Sequence, residues 1–302
     1  DVVWAHQPDV DWDVVFVSRA HYTPGADHVT YLVRDRTVQD DSNEERTLVR
    51  ISLDGTVEEH LVADDVHHDY LPLPEGGFAV LKRDYRMFEG EAVKSDSIVE
   101  IAPDGVETVI WSAWDHFAYD PEFEVDSDES WCHANALDLD EDAGVYHVSL
   151  RNFAAIVTID RATGDMLRIL GGPFSDVFLA DGSADLFAWQ HQFDVLDGGV
   201  LVFDNGTPEL RDSRAIEYRV DADTVEAVWE FHADPPMFTP ALGDVARLDD
   251  GNTLVSWSSS GQIDEVTAGG DVVWRLRTEM AAGFGFATWL EQVKDDGWPA
   301  DR

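Results

Sequence analysis

Glu100-Ile-Ala-Pro-Asp-Gly-Val-Glu107 decides the fold once four other stretches of the chain are set beside it. Arg50-Ile-Ser-Leu-Asp-Gly-Thr-Val57, Ile159-Asp-Arg-Ala-Thr-Gly-Asp-Met166, Tyr218-Arg-Val-Asp-Ala-Asp-Thr-Val225 and Glu265-Val-Thr-Ala-Gly-Gly-Asp-Val272 share its plan. Each is a β-rich segment that ends in a turn and is followed by another apolar strand. Glycine suits such turns because it takes positive φ freely, and aspartate because it bonds its own backbone. The turn residues Gly55, Gly105, Gly164, Asp223 and Gly269 are spaced by 50, 59, 59 and 46. Asp1-Val-Val-Trp4 repeats Asp271-Val-Val-Trp274 letter for letter, so a sixth copy is expected at the start. Six outer hairpins with hardly any helical periodicity predict an all-β chain, a six-bladed β-propeller. The N-terminal strand and strands from residues 279–302 are expected to close one blade and leave no free edge. A five- or seven-bladed ring is the structural rival. No linker interrupts residues 1–302, which read as a single domain.

The chain has 302 residues, with 62 acidic side chains against 20 basic ones, for a formal charge of −42. At 44% hydrophobic residues, with 11 Trp and 15 Phe, it is too apolar for a disordered acidic tail. Such a surface repels phosphate backbones and anionic lipid, so no nucleic-acid partner and no membrane insertion are expected. Of the acids 42 are Asp, and Lys82, Lys94 and Lys294 are the only lysines, a bias that resembles adaptation to molar salt. Cys132 stands alone, so no intrachain disulfide forms. The first residue is Asp1, not Met, which fits an extracytoplasmic protein with its signal or anchor removed; a cytoplasmic protein stays open.

A second register marks the inner strands. His68, His191 and Gly243 are each followed by Leu at +5 and Gly at +8. They are therefore expected at equivalent places in three blades, where the innermost strand starts and faces the mouth of the central channel. His133 and Asn135 in Trp131-Cys-His-Ala-Asn-Ala136 alternate on one strand. One hairpin, turning at residues 140–144, then returns Arg151 beside them. His67 and His147 each neighbour a better candidate. Three His, one Asn and one Arg make a cationic, donor-rich pocket suited to a tetrahedral oxyanion, which a neutral imidazole can attack.

These strings resemble the arylsulfotransferases, propeller enzymes that move sulfuryl groups between phenols without a nucleotide sulfate donor. The resemblance rests on His68-Asp69…Leu73-Pro-Glu-Gly76, His133-Ala-Asn135…Ser149-Leu-Arg151-Asn152, Gln190-His191…Phe203-Asp-Asn-Gly206 and Leu248-Asp-Asp-Gly-Asn-Thr-Leu254, and spans about residues 45–278. It implies that His191 is transiently sulfurylated. The other matching residues are His68, His133, Asn135 and Arg151; in the reading adopted here Arg151, Asn135 and His133 hold the equatorial oxygens and His68 exchanges the phenolic proton, with His133 and His68 open to exchange. The resemblance implies aryl sulfates and phenols as small-molecule partners, with no cofactor and no metal, while a monomer is expected because any dimer interface of the family's N-terminal domain is missing here. The family's Gln-His-Asp reads Gln190-His191-Gln192 here, so a carboxylate orienting His191 must come from elsewhere. The small N-terminal β-domain of characterised bacterial members is not in this chain. Two alternatives stay open: a metal-dependent propeller lyase or hydrolase with three His ligands, and a non-catalytic ligand-binding propeller.

Overall fold

The computed structural model describes residues 15–23, 28–35, 46–62, 64–123 and 130–278. These fall into two compact units, one through Val66 and the other from His67 onward. The first unit contains one antiparallel sheet, β1 (Val15–Thr23), β2 (His28–Asp35), β3 (Arg46–Ser52) and β4 (Glu58–Val62), paired in chain order. Its core is Tyr31, Val33, Val49 and Ile51, alternate residues of the two middle strands.

The second unit carries four sheets of the same meander. They are β5 (Val66–Pro72), β6 (Phe78–Phe88), β7 (Glu91–Ile101) and β8 (Glu107–Ser112); then β9 (Ala134–Asp140), β10 (Val145–Leu150), β11 (Ala155–Asp160) and β12 (Met166–Leu170). Next come β13 (Phe193–Leu196), β14 (Gly199–Asp204), β15 (Arg214–Asp221) and β16 (Thr224–His232). Last are β17 (Asp244–Arg247), β18 (Thr253–Ser256), β19 (Gln262–Val266) and β20 (Val272–Arg277). Buried side chains from adjacent sheets interdigitate in three clusters, centred on Trp131 and Phe153, on Phe193 and Ile216, and on Phe203 and Trp257. Middle strands are buried on both faces, which is why Leu201-Val-Phe203 reads as a continuous apolar run.

The fold is an all-β propeller, with five four-stranded blades among the described residues and not six. Residues 1–4 and 279–302, on which the sixth blade was to rest, lie outside the described residues. Each of the five sequence repeats is the turn between the third and fourth strands of a blade, as the repeat requires. Two turn residues shift by one: positive φ falls on Ala222 (48°) and Gly270 (88°), beside Asp223 and Gly269. Gly199, the glycine eight residues after His191, is a strand residue. It opens β14, where a Cβ would lie 2.3 Å from the Tyr218 carbonyl, and Gly198 makes the turn.

Candidate functional site

The first strands of three packed blades begin at one end of the second unit, and the expected residues meet there. The β9–β10 hairpin turns where Gly144 N–H bonds the Asp140 carbonyl (2.8 Å), and Arg151 N–H closes it on the His133 carbonyl (3.0 Å). This brings His133, Asn135 and Arg151 to one place. The His68 ring from β5 lies 4.9 Å from the His133 ring. Asn135 Nδ2 donates to the Gln190 carbonyl (2.8 Å), and Gln190 Nε2 donates to Ser149 Oγ and the carbonyls of Leu150 and Ala155. The Gln190-His191 segment is thereby fastened to the neighbouring blade. Arg151 stacks over Trp189 at 4.3 Å and donates to Asn152 Oδ1 (3.0 Å). His68, His133 and Trp189 all have φ between 52° and 54°. Non-glycine residues held there store strain of order 1–3 kcal/mol each, and such strain gathers at functional sites.

His191 is held in one tautomer. Asn205 Nδ2 donates to the carbonyls of Thr239 (2.7 Å) and Leu242 (2.8 Å), so its amide nitrogen is committed and its Oδ1 must accept. That oxygen lies 2.9 Å from His191 Nδ1, and the Trp189 carbonyl lies 3.1 Å from the same atom. Two acceptors require a proton on Nδ1, which leaves the Nε2 lone pair of the neutral ring unprotonated. The orienting group is an amide, where the sequence pointed to a carboxylate. Asn205 stands in the quoted Phe203-Asp-Asn-Gly206 string, so its signal was present but its role was not. Phe203 clamps the same segment from behind, its carbonyl accepting His191 N–H (3.2 Å) and its N–H bonding the Gln192 carbonyl (2.9 Å). Gly243, the third member of the +5/+8 register, packs on the Phe203 ring. With φ 115°, a Cβ there would lie 2.2 Å from the ring.

The imidazoles carry little charge. Burial holds His191 down at about 4, with Arg151 also lowering it against the pull of Asn205 and the Trp189 carbonyl. Burial and then Arg151 push His133 well below the usual histidine range. His68 is pushed well below it too, by burial and then by His133, His67, His191 and Arg83. The site's positive charge therefore rests on its arginines, and the expected cationic pocket is one of neutral rings around guanidinium.

Behind His68 lies a network that the sequence left aside. His67 Nδ1 is 2.8 Å from His68 Nδ1, and His67 Nε2 is 3.1 Å from Asp96 Oδ1. Asp96 is fully buried, and its other oxygen accepts from Ser130 Oγ, Cys132 Sγ (3.0 Å) and Ala134 N–H (2.7 Å). Burial pushes its carboxyl up, but the His67 contact and these donors outweigh it and leave it at about 2. Gln192 donates to Asp69 Oδ2 (3.2 Å), which Leu137 N–H also reaches (3.0 Å).

A family model described as arylsulfotransferase matches residues 26–280. The chain belongs to the arylsulfotransferase family. Two solved structures show the fold alone. A luciferin-regenerating enzyme is 12% identical over 86% of this chain and 76% of its own, with a TM-score of 0.54. A chain of a nidogen/laminin complex is 11% identical over 89% and 83%, with a TM-score of 0.56. No curated protein matches the sequence. Against the family's Gln-His-Asp, Gln192 occupies the place of the Asp and spends its amide on Asp69 of another blade. Among the described residues no group of three or more His, Cys, Asp or Glu side chains is arranged to hold a metal ion. None of their helices is long and apolar enough to cross a membrane.

Proposed function

We propose that this arylsulfotransferase moves a sulfuryl group from an aryl sulfate to a phenol, with His191 Nε2 as the nucleophile. The observation that carries the reading is the tautomer lock. Asn205 and the Trp189 carbonyl hold the proton on Nδ1, and burial keeps the ring neutral down to about pH 4. An attacking nitrogen must be unprotonated, aimed and ready at neutral pH. The lone pair bonds to sulfur as the bond from sulfur to the aryl oxygen breaks, and the phenolate takes a proton from His68. In the second half the acceptor's oxygen bonds to sulfur, the N–S bond breaks, and the acceptor's proton returns to His68. Arg151 supplies a fork of donors to the equatorial oxygens as charge spreads over them, assisted by the Asn135 amide and the His133 ring.

The aryl ring has surfaces to meet at this end. Trp189 lies under Arg151, and the β6–β7 hairpin runs on past Asp96 to present Tyr85, Met87 and Phe88 to solvent, with Phe88 4.5 Å from Tyr119. These candidates extend what the sequence left unassigned.

Incubation with an aryl sulfate and no acceptor should add the mass of one sulfuryl group. A quench without acid preserves the adduct, and peptide mapping should place it between Trp189 and Gln192. His191→Asn should abolish both adduct and turnover. An adduct on His68 or His133 would reverse the roles, and transfer without any adduct would replace the covalent scheme by direct in-line transfer.

A further inference from the structure

The acid–base role given to His68 raises a problem of charge. To protonate a departing phenolate, His68 must present a proton on Nε2. It lies among Arg83, His133 and His191, with Arg151 beside the latter two, so an imidazolium at His68 is opposed from several blades. Behind it, on the side of His67, lies the buried carboxylate of Asp96.

Two ring nitrogens 2.8 Å apart hold a single proton between them, so the tautomers of His67 and His68 are coupled. Asp96 Oδ1 lies 3.1 Å from His67 Nε2, close but not aligned as a hydrogen bond, and its negative charge favours a proton on that nitrogen. If the shared proton sits on His68 Nδ1, His67 is neutral and His68 Nε2 is a bare lone pair, ready to accept. If it sits on His67 Nδ1, His67 is the imidazolium and His68 is neutral with its proton on Nε2, ready to donate. The positive charge then lies against Asp96.

We propose that His67, backed by Asp96, is the proton store behind His68, a positioning residue that carries the charge whenever His68 acts as the acid. This deepens the sulfuryl-transfer reading and rests on it. As the bond from sulfur to the aryl oxygen breaks, the Nε2 proton of His68 passes to the phenolate oxygen, and the shared proton moves from His67 Nδ1 to His68 Nδ1. Two protons move and one leaves. The acceptor's half-reaction runs the same shifts backward. His68 gains and loses its outer proton while remaining neutral throughout. Cys132 does not compete for the store, because burial and the Asp96 charge push its thiol well above the usual range.

Two measurements test this. In histidine-15N-labelled protein, nitrogen shifts should report His68 as a neutral ring, with its proton on Nδ1 when the His67–His68 pair holds two protons. On acidification the added proton should appear on His67, while His68 switches to the Nε2–H tautomer without becoming doubly protonated. A doubly protonated His68, or an unchanged His68 tautomer as His67 charges, overturns the store, and this reading needs no turnover. In His67→Gln, the rate of phenol release in a single turnover without acceptor should stay within about threefold of wild type on an activated nitrophenyl sulfate, whose phenolate departs unaided. It should fall about 100-fold on an unactivated alkylphenyl sulfate, a loss in the range of general acid catalysis. Equal losses on both donors, or none on either, would mark His67 as structural and overturn the proposal. If His67→Gln does not fold, the nitrogen shifts of the wild-type protein decide alone. If wild-type protein transfers from neither donor, the transfer reading fails while those shifts still decide the store.

Discussion

At the turns between third and fourth strands the blades repeat one solution, whereas at the opposite end three blades each supply a different one. In three of those turns an aspartate accepts the N–H two residues on: Thr56 to Asp54 (2.9 Å), Val106 to Asp104 (3.2 Å) and Ala162 to Asp160 (2.9 Å). Asp54 and Asp104 are exposed and Asp160 is half-buried, and backbone bonds, with the Ser52 and Thr56 hydroxyls at Asp54 and Thr163 at Asp160, hold Asp54 and Asp160 below the usual carboxylate range. At the other end His68 and His191 hold one register in two blades, whereas the His133–Asn135–Arg151 hairpin of the blade between them follows a pattern of its own. Repetition builds the scaffold, and departure from it builds the site. Part of the acidity of this chain is thus turn chemistry, separate from any salt adaptation.

The sharpest way to break that contrast is Arg151→Lys. An ammonium lacks the fork and the stack over Trp189, so turnover should fall by roughly a hundred- to a thousandfold, about 3–4 kcal/mol of lost charge stabilisation. A Lys variant with most of its turnover would put Arg151 outside the site.

Acid should dismantle the two ends differently. His191 is held at about 4 when folded against an ordinary 6.5, so the unfolded chain binds more protons between those values. Its contribution is whole above pH 6.5 and is lost as pH falls toward 4, about 3 kcal/mol in all, with His68 and His133 acting in the same direction. Urea midpoints should fall across that window, and a flat profile would mean that the rings are open to water. Asp54 and Asp160, whose folded values are lowered, lose their contribution only at still lower pH.

Asn205→Asp tests the amide directly. A carboxylate facing His191 Nδ1 favours the imidazolium, so the acid limb of kcat/KM should move up by about one pH unit or more. An unmoved limb would separate Asn205 from the tautomer lock. The smallest effect belongs to the repeated end. Asp104→Ala should leave kcat unchanged and lower Tm by about 2 °C, the scale of the one surface hydrogen bond it accepts from Val106 N–H. A loss of activity there would couple the two ends and erase the distinction.

The scaffold was legible because its turns demand particular residues. Gly55, Gly105 and Gly164 all have φ between 70° and 82°, a region in which glycine is at ease, and the same need recurs in every blade. The five candidate side chains were legible through spacing, since the eighteen residues from His133 to Arg151 make one hairpin. What the spacing could not carry was orientation. Asn205 and Asp96 act through the atoms they turn toward histidines far away in sequence, and a string holds no such direction. The neutral state of the imidazoles was hidden for the same reason, because burial is a property of the packed blades.

Gly243 touches no candidate catalytic group, yet its bare Cα is what leaves room for the Phe203 ring, and Phe203 holds the peptide of His191 at both ends. In a saturation screen scored by activity alone, this position should rank with the nucleophile itself, since every side chain pushes on the ring. A map of essential residues drawn from such a screen would place a glycine inside the reaction. Only a measure of how the variants fold would return it to its place behind the nucleophile, in the frame that aims it.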